Sequence, residues 1–286
     1  MKRNTRETTR RDFLKTSGKI AGAVLFSDLS AVCLADPQKT KGPESGKVSS
    51  PEGREDYKLF SPGRIGTLTV KNRLVRSATM ISAAAGGRPT EEYIRLYRQL
   101  ALGGVGLIFT GFMIPTRADA GNPRQIFVYE DDHIGGLQQV AEAIHKAGNS
   151  CRLVAQIGHS GETVSPSGIQ WPFPGKRKGK VLSGDEIEVI VKDFADAIWR
   201  VKTAGFDGVE LHGAHVFLLS SFLSPLTNKR TDQYGGSLEK RVHIIRAIMD
   251  QARKRVGPDF PIMIKLNSDD NVAQGIGPEN FPAPGQ

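Results

Sequence analysis

Cysteine is nearly absent: only Cys33 and Cys151 occur in 286 residues, which excludes a scaffold built on intrachain disulfides. Cys151 begins an apolar run with Leu153 and Val154 and reads as a small buried hydrophobe, not a nucleophile. No Gly-x-Gly-x-x-Gly turn follows the first strand, which argues against a dinucleotide-binding sheet. The apolar stretch near the N-terminus, Ile20 to Phe26, is too short to span a membrane. The formal charge of +9 divides into +4 over residues 1–35 and +5 over the rest, where it is spread among acidic neighbours. No aromatic ladder accompanies it, so a solvated surface is the better reading and no nucleic-acid partner is expected. The run Lys176, Arg177, Lys178 and Lys180 lies in a Pro/Gly-rich loop and reads as a mobile basic lip. What is plentiful is apolar residues, 38% of the chain, enough for a globular core.

At the front, Thr9-Arg10-Arg11-Asp12-Phe13-Leu14-Lys15 precedes the short apolar stretch, and Cys33-Leu34-Ala35 supplies small residues suited to a signal peptidase. Charged, apolar and small-residue regions in that order make a secretory signal, and the arginine pair before Phe-Leu-Lys resembles a bacterial twin-arginine leader. A disordered basic tail is the alternative. Lipidation of Cys33 fits poorly, because Ser30, Ala31 and Val32 are a weak match to a lipobox. Residues 1–35 are therefore expected to be a signal peptide read by the twin-arginine export machinery, with a periplasmic or exported mature protein. Residues 36–56, rich in Lys, Pro, Gly, Ser and Glu, form a linker. Lysine at both Arg10 and Arg11 is expected to leave the precursor in the cytoplasm, since Lys lacks the planar donor fork of Arg. Undiminished periplasmic delivery of that double variant, read by fractionation and immunoblot, would overturn the reading.

From Tyr57 onward, apolar strands alternate with amphipathic helices. Arg64 to Asn72 is a short β segment placed to plug one end of a barrel, and Leu74 to Thr79 is the first inner strand. Pro89-Thr90-Glu91-Glu92 announces a helix carrying Ile94, Tyr97 and Ala101 on one face. Val105 to Gly111 is a second strand, and Ile134, Leu137, Ala141 and Ile144 mark a second helix. A third strand, Arg152 to Ile157, is followed by a long loop through Lys180; Ile187, Val191, Phe194, Ile198 and Val201 then share a helix face. Gly208 to His212 is a fourth strand, Val242 to Val256 a fourth helix, and Pro261 to Leu266 a fifth strand. This order predicts an α/β fold with a parallel sheet, either doubly wound or a (β/α)₈ barrel. A full barrel has eight strands over about 250 residues. Residues 57–267 therefore read as a partial (β/α)₈ TIM barrel of about five βα units, and 268–286 as an irregular tail.

Barrel chemistry gathers at the C-terminal ends of strands. There Gln156, His212 and Lys265 end three consecutive apolar strands, and three polar groups so placed point to a site more than to loop starts or satisfied core groups. Glu210, His212 and His215 also admit a metal reading, weakened by the Gly-Ala turn between the histidines and by the lack of a second ligand cluster.

The stretches from Phe206 to His215 and from Phe222 to Ser237 resemble the signature region of the old yellow enzyme family, in the branch of NADH:flavin oxidoreductases and 2,4-dienoyl-CoA reductase N-terminal barrels. Leu59-Phe60-Ser61-Pro62, Asn72 to Thr79 and Gly103 to Ile108 match the same family, so the resemblance runs from about Tyr57 to Leu266. It implies an FMN-dependent oxidoreductase that passes hydride from NADH or NADPH through the flavin to a small-molecule electrophile such as an activated alkene. By position, Ser77, Ala78, Thr79 and Gly111 would line the flavin, Gln156 would bond its pyrimidine edge, and Lys265 would place a cation by N1 and O2. His212 and His215 would hold and polarise a substrate carbonyl. The Arg230 to Ser237 stretch is structural: Ser237 caps a helix and Gly235-Gly236 make a tight turn.

Two departures qualify the resemblance. The family's proton-donating tyrosine falls at Phe217, which has no exchangeable proton. The loops after strands seven and eight that grip the FMN phosphate have no counterpart in the 286 residues, so a C-terminal truncation, weak FMN retention, self-association, or completion by a second chain are expectations. A truncated, non-catalytic half-barrel is the competing reading and a metal-dependent hydrolase a weaker one; the colour of the purified protein would separate the three.

Overall fold

The computed structural model describes residues 57–278 apart from 148, 149, 174, 176 and 177. The expected signal peptide and linker, and Lys176 and Arg177 of the basic lip, lie outside the described residues. Lys180 of that lip is ion-paired with Glu186 at 2.5 Å, so it belongs to a helix start and not to a free cationic edge.

The chain opens with the antiparallel hairpin β1 (Gly63–Ile65) and β2 (Leu68–Val70). The first inner strand, β3, is reduced to Val75–Arg76, because only these residues find a partner, Leu107 and Ile108. A second hairpin, β4 (Ala84–Ala85) with β5 (Arg88–Pro89), leads to helix α1 (Glu91–Leu102). The Thr90 side chain accepts from the Tyr93 N–H at the start of α1, Glu91 and Glu92 complement the dipole there, and Tyr93, Tyr97 and Ala101 form the buried stripe. Next come β6 (Leu107–Phe109), α2 (Ile134–His145) and β7 (Arg152–Ile157). The loop expected after β7 contains a short parallel pair, β8 (Val164–Ser165) and β9 (Lys180–Val181). Helix α3 (Gly184–Thr203) starts with a reciprocal capping box between Ser183 and Glu186. Strand β10 (Gly208–Gly213), a short helix α4 (Leu218–Leu223), helix α5 (Leu238–Val256) and β11 (Ile262–Leu266) complete the order. The α5 N-terminus is capped by Ser237, as its position suggested.

The five inner strands pair in parallel in the order β11-β10-β7-β6-β3. Parallel neighbours need a crossover, and the helices between them cover one face, giving the curled first part of a (β/α)₈ barrel. The core between sheet and helices holds Leu137, Ile144, Leu153, Phe194, Ile198 and Ile248, none more than 1% exposed. Asp207 clamps the entry to β10: it accepts from the Leu153 N–H and from Arg152 Nη1, both at 2.8 Å, and meets His145 Nε2 at 2.9 Å. Burial opposes its ionisation, yet those hydrogen bonds outweigh it and hold the carboxyl below its ordinary range. Cys151 is buried beside this clamp, which pushes its thiol up to about 11, so it is unreactive at neutral pH. Among the described residues no helix is long and apolar enough to cross a membrane.

Candidate functional site

Parallel register sets the site. Glu210 lies opposite Gln156 on one side and Met263 on the other, and one pleat further His212 lies opposite Lys265. Since alternate residues of a strand share a face, Gln156, Glu210, His212 and Lys265 stack toward the C-terminal ends of three adjacent strands. Gln156 Nε2 donates to Glu210 Oε1 at 2.7 Å. This contact was not among the expected site features, because nothing local to Glu210 marks it as the anchor of a glutamine 54 residues earlier. Burial raises the Glu210 carboxyl pKa, while the hydrogen bond from Gln156 and the charge of Lys265 pull it the other way.

His212 is 4% exposed and is held down at about 3, first by burial and then by the nearby His215 and Lys265. Its Nδ1 accepts from the Ala214 N–H at 3.4 Å, a long bond that still leaves the proton on Nε2. His215 is exposed and is also shifted down, by partial burial and by Lys265. The rings of the two histidines lie edge to face with centroids 5.1 Å apart. The backbone that brings them together is strained. His215 and Val216 both adopt left-handed conformations, at φ 55° and 60°, unusual for a non-glycine and more so for a β-branched residue. The Asn267 side chain, just past β11, accepts the His215 N–H at 3.2 Å. Asn267 is in turn held by buried Asp270, which also accepts from Ser224 Oγ and from the Ile276 N–H. Asn267 and Asp270 are support residues that their polar, turn-like sequence context did not reveal.

Phe217 caps α4 and lies flat on His212, with centroids 4.1 Å apart and planes 16° from parallel. Phe112 meets Phe217 edge-on at 5.0 Å. Gly111 joins the ends of β6 and β3: its N–H donates to the Tyr97 hydroxyl at 2.9 Å, and a Cβ there would lie 2.6 Å from the Thr79 carbonyl oxygen. Only glycine lets the Thr79–Met80 backbone approach so closely. Ser77 and Thr79 are exposed and Ala78 half-buried, on this neighbouring strand end. The predicted residues thus form two groups, Gln156, His212, His215 and Lys265 in one and Ser77 to Thr79 with Gly111 in the other, with Phe112 between them. Among the described residues no group of three or more His, Cys, Asp or Glu side chains is arranged to hold a metal ion. The Arg230 segment is structural: Arg230 Nη1 donates to the carbonyls of Pro166 and Leu182, and Gly236 turns at φ 92°.

The neutrality of His212 has a thermodynamic consequence. Its pKa in the fold is about 3 against 6.5 unperturbed, so between these values the unfolded chain binds more protons than the folded one at this site. Its contribution to stability is complete above pH 6.5 and is lost as pH falls toward 3. Thermal melts across that window are expected to show a shallower acid-side decline for His212→Asn than for the parent chain. His145, shifted up by its hydrogen bond to Asp207, acts in the opposite sense but is common to both proteins. Parallel declines would refute the burial of a neutral imidazole at position 212.

The sequence profile of the NADH:flavin oxidoreductase / NADH oxidase family matches residues 58–280. The chain is 39% identical over 222 residues to a metal reductase of Desulforamulus reducens, covering 74% of this chain and 33% of that protein. It is 35% identical over 228 residues to an NADPH dehydrogenase of Bacillus cytotoxicus, covering 76% of this chain and 64% of that one. Among solved structures, the old yellow enzyme homologue from Zymomonas mobilis superposes with a TM-score of 0.68 at 26% identity, over 78% of this chain and 67% of its own. The chain therefore spans about a third of the first relative and under two thirds of the second. A half-barrel with its polar side chains converging at the strand ends, and a profile match over nearly all its described residues, place this chain in the NADH:flavin oxidoreductase / NADH oxidase family.

Proposed function

We propose that this chain forms the flavin-ring and substrate-carbonyl side of an FMN-dependent oxidoreductase that uses NADH or NADPH to reduce a small electrophile, an activated alkene or a related acceptor. The observation that carries the reading is the level register of His212 with Lys265, one pleat above Glu210 and Gln156, on adjacent parallel strands. The donor set suits an isoalloxazine ring. Gln156 offers a carboxamide, with donor and acceptor together, to an edge that alternates the two, and Glu210 fixes its orientation. Lys265 sets a cation beside it, and the Thr79–Met80 backbone reaches in over Gly111. FMN, when bound, supplies the hydride chemistry. The chain's own part is electrostatic. Lys265 stabilises negative charge at the ring edge, and the neutral imidazoles of His212 and His215 donate N–H groups to a carbonyl oxygen as negative charge develops there.

Titration of the chain with FMN, followed by flavin fluorescence, is expected to saturate. Lys265→Gln should weaken binding of reduced flavin by about tenfold, the equivalent of roughly one pKa unit of charge interaction, and of oxidised flavin by less. No saturable binding, or equal losses for the two redox forms, would contradict the assignment of Lys265 to the electron-rich edge.

A further inference from the structure

A cleft of about 520 Å³ opens beside the histidine pair and shares Phe217 with it. Its walls include Met80, Phe112 and Phe217, with Gln125, Asp119 and Glu162. The two aromatic rings stand perpendicular to one another, at 85°. Asp119 is anchored: it accepts from the Ser160 N–H at 2.7 Å and from Ser160 Oγ at 2.5 Å, and its side chain is 3% exposed. His159 is buried behind it with Nδ1 3.4 Å from Asp119 Oδ1; burial shifts the imidazole down and the Asp119 charge opposes the shift. Glu162 is exposed on the rim. Arg117, in the same 3₁₀ turn as Asp119, is paired with Glu130 and lies over the Tyr129 ring. Among the described residues the cleft lining contains no Lys, Arg or His. Lys265 stands at the end of β11 behind the histidines and is not part of it.

An anion entering such a cleft loses water and meets the exposed Glu162 carboxylate, with the buried Asp119 behind the wall, whereas an uncharged or cationic body meets aromatic faces and opposite charge. We infer that the cleft holds the body of the electrophile whose carbonyl the histidines bind, and that it accepts uncharged and cationic electrophiles while turning away carboxylates and other anions. This rests on the reading of His212 and His215 as the carbonyl-holding end. It adds a charge rule for the substrate that the histidines alone do not set.

The test uses three cinnamaldehydes of matched shape, para-substituted with trimethylammonium, tert-butyl or carboxylate. Binding to the full chain, with and without added FMN, is followed by ligand-observed NMR, with the tert-butyl compound as internal reference in each protein. The cation is expected to bind about tenfold more tightly than the carboxylate, as for a two-unit difference in ligand charge some 6 Å from one carboxylate at an effective dielectric close to that of water. The ratio should shrink in Glu162→Gln and invert in Glu162→Lys, a surface exchange that leaves the buried Asp119 anchor in place. A carboxylate that binds as well as the cation, a ratio unmoved by Glu162→Lys, or no binding of any of the three would overturn the inference. Flavin titration is read separately. A chain that binds no FMN yet shows the charge ratio would fail the proposed function and keep the cleft assignment, and a chain that binds FMN without the ratio would do the reverse.

Discussion

Alanine at His212 is expected to slow reduction of an activated alkene by about 10²–10³-fold, the usual cost of removing one preorganised oxyanion donor. Three observations concentrate the effect at this residue. Its ring is buried and neutral, so the donor is present across the physiological range without a protonation step. Its Nδ1 is engaged by the Ala214 N–H, which leaves Nε2 as the hydrogen-bond donor. Its face is covered by Phe217, which keeps water from one side. His215, exposed, with its backbone held by Asn267 and its ring edge-on to His212, should show a smaller loss as alanine. Rates measured with FMN in excess, together with the affinity for a phenolic ligand, check this. A His212→Ala chain within threefold of the parent in both would remove the imidazole from the reaction. With a histidine pKa of about 3, the parent's rate should also show no inflection near pH 6.5 attributable to this residue.

Tyrosine at Phe217 is expected to raise alkene reduction by about 10²-fold, the lower end of what a positioned general acid contributes, and to leave quinone reduction nearly unchanged. Alkene reduction needs a proton at the α-carbon after hydride reaches the β-carbon, and Phe217 cannot supply it. Reduction of a quinone has no such requirement. Phe217 is half-buried; its ring is stacked on His212 and lines the cleft that also involves Phe112. The ratio of the two activities is the decisive measurement, because a general improvement in folding or flavin binding would raise both. If they move together, position 217 is not the proton donor's place.

Much of the fold was legible because its signals are local. Helix faces such as Ile187, Val191, Phe194, Ile198 and Val201 repeat at helical spacing, and α3 buries all five. Strand β7 has the expected limits, Arg152 to Ile157, since a run buried on both faces is continuous and sharply bounded. Other strand ends differ from the expectation in both directions: Val105 to Gly111 shrinks to Leu107–Phe109, whereas Gly208 to His212 runs on through Gly213. Leu74 to Thr79 contributes only Val75–Arg76 to the sheet, because a strand lasts only as long as its neighbour offers partners, and β6 offers two. The pair β8 and β9 joins two-residue segments too short to show alternation, and the six-residue α4 is too short for helical periodicity to mark. Both depend on contacts made across the loop.

By itself the sequence determined which residues stand at the strand ends, because alternation and the breaks after Gln156, His212 and Lys265 are properties of each segment alone. Only the tertiary structure decided what those residues do to one another. The Gln156–Glu210 hydrogen bond, the stacking of Phe217 on His212 and the Asn267–Asp270 support join segments distant along the chain or turned back on themselves by a strained backbone. So does the neutrality of His212, since a pKa near 3 requires burial and a neighbouring cation, and neither is a property of the residue or of its place in the sequence.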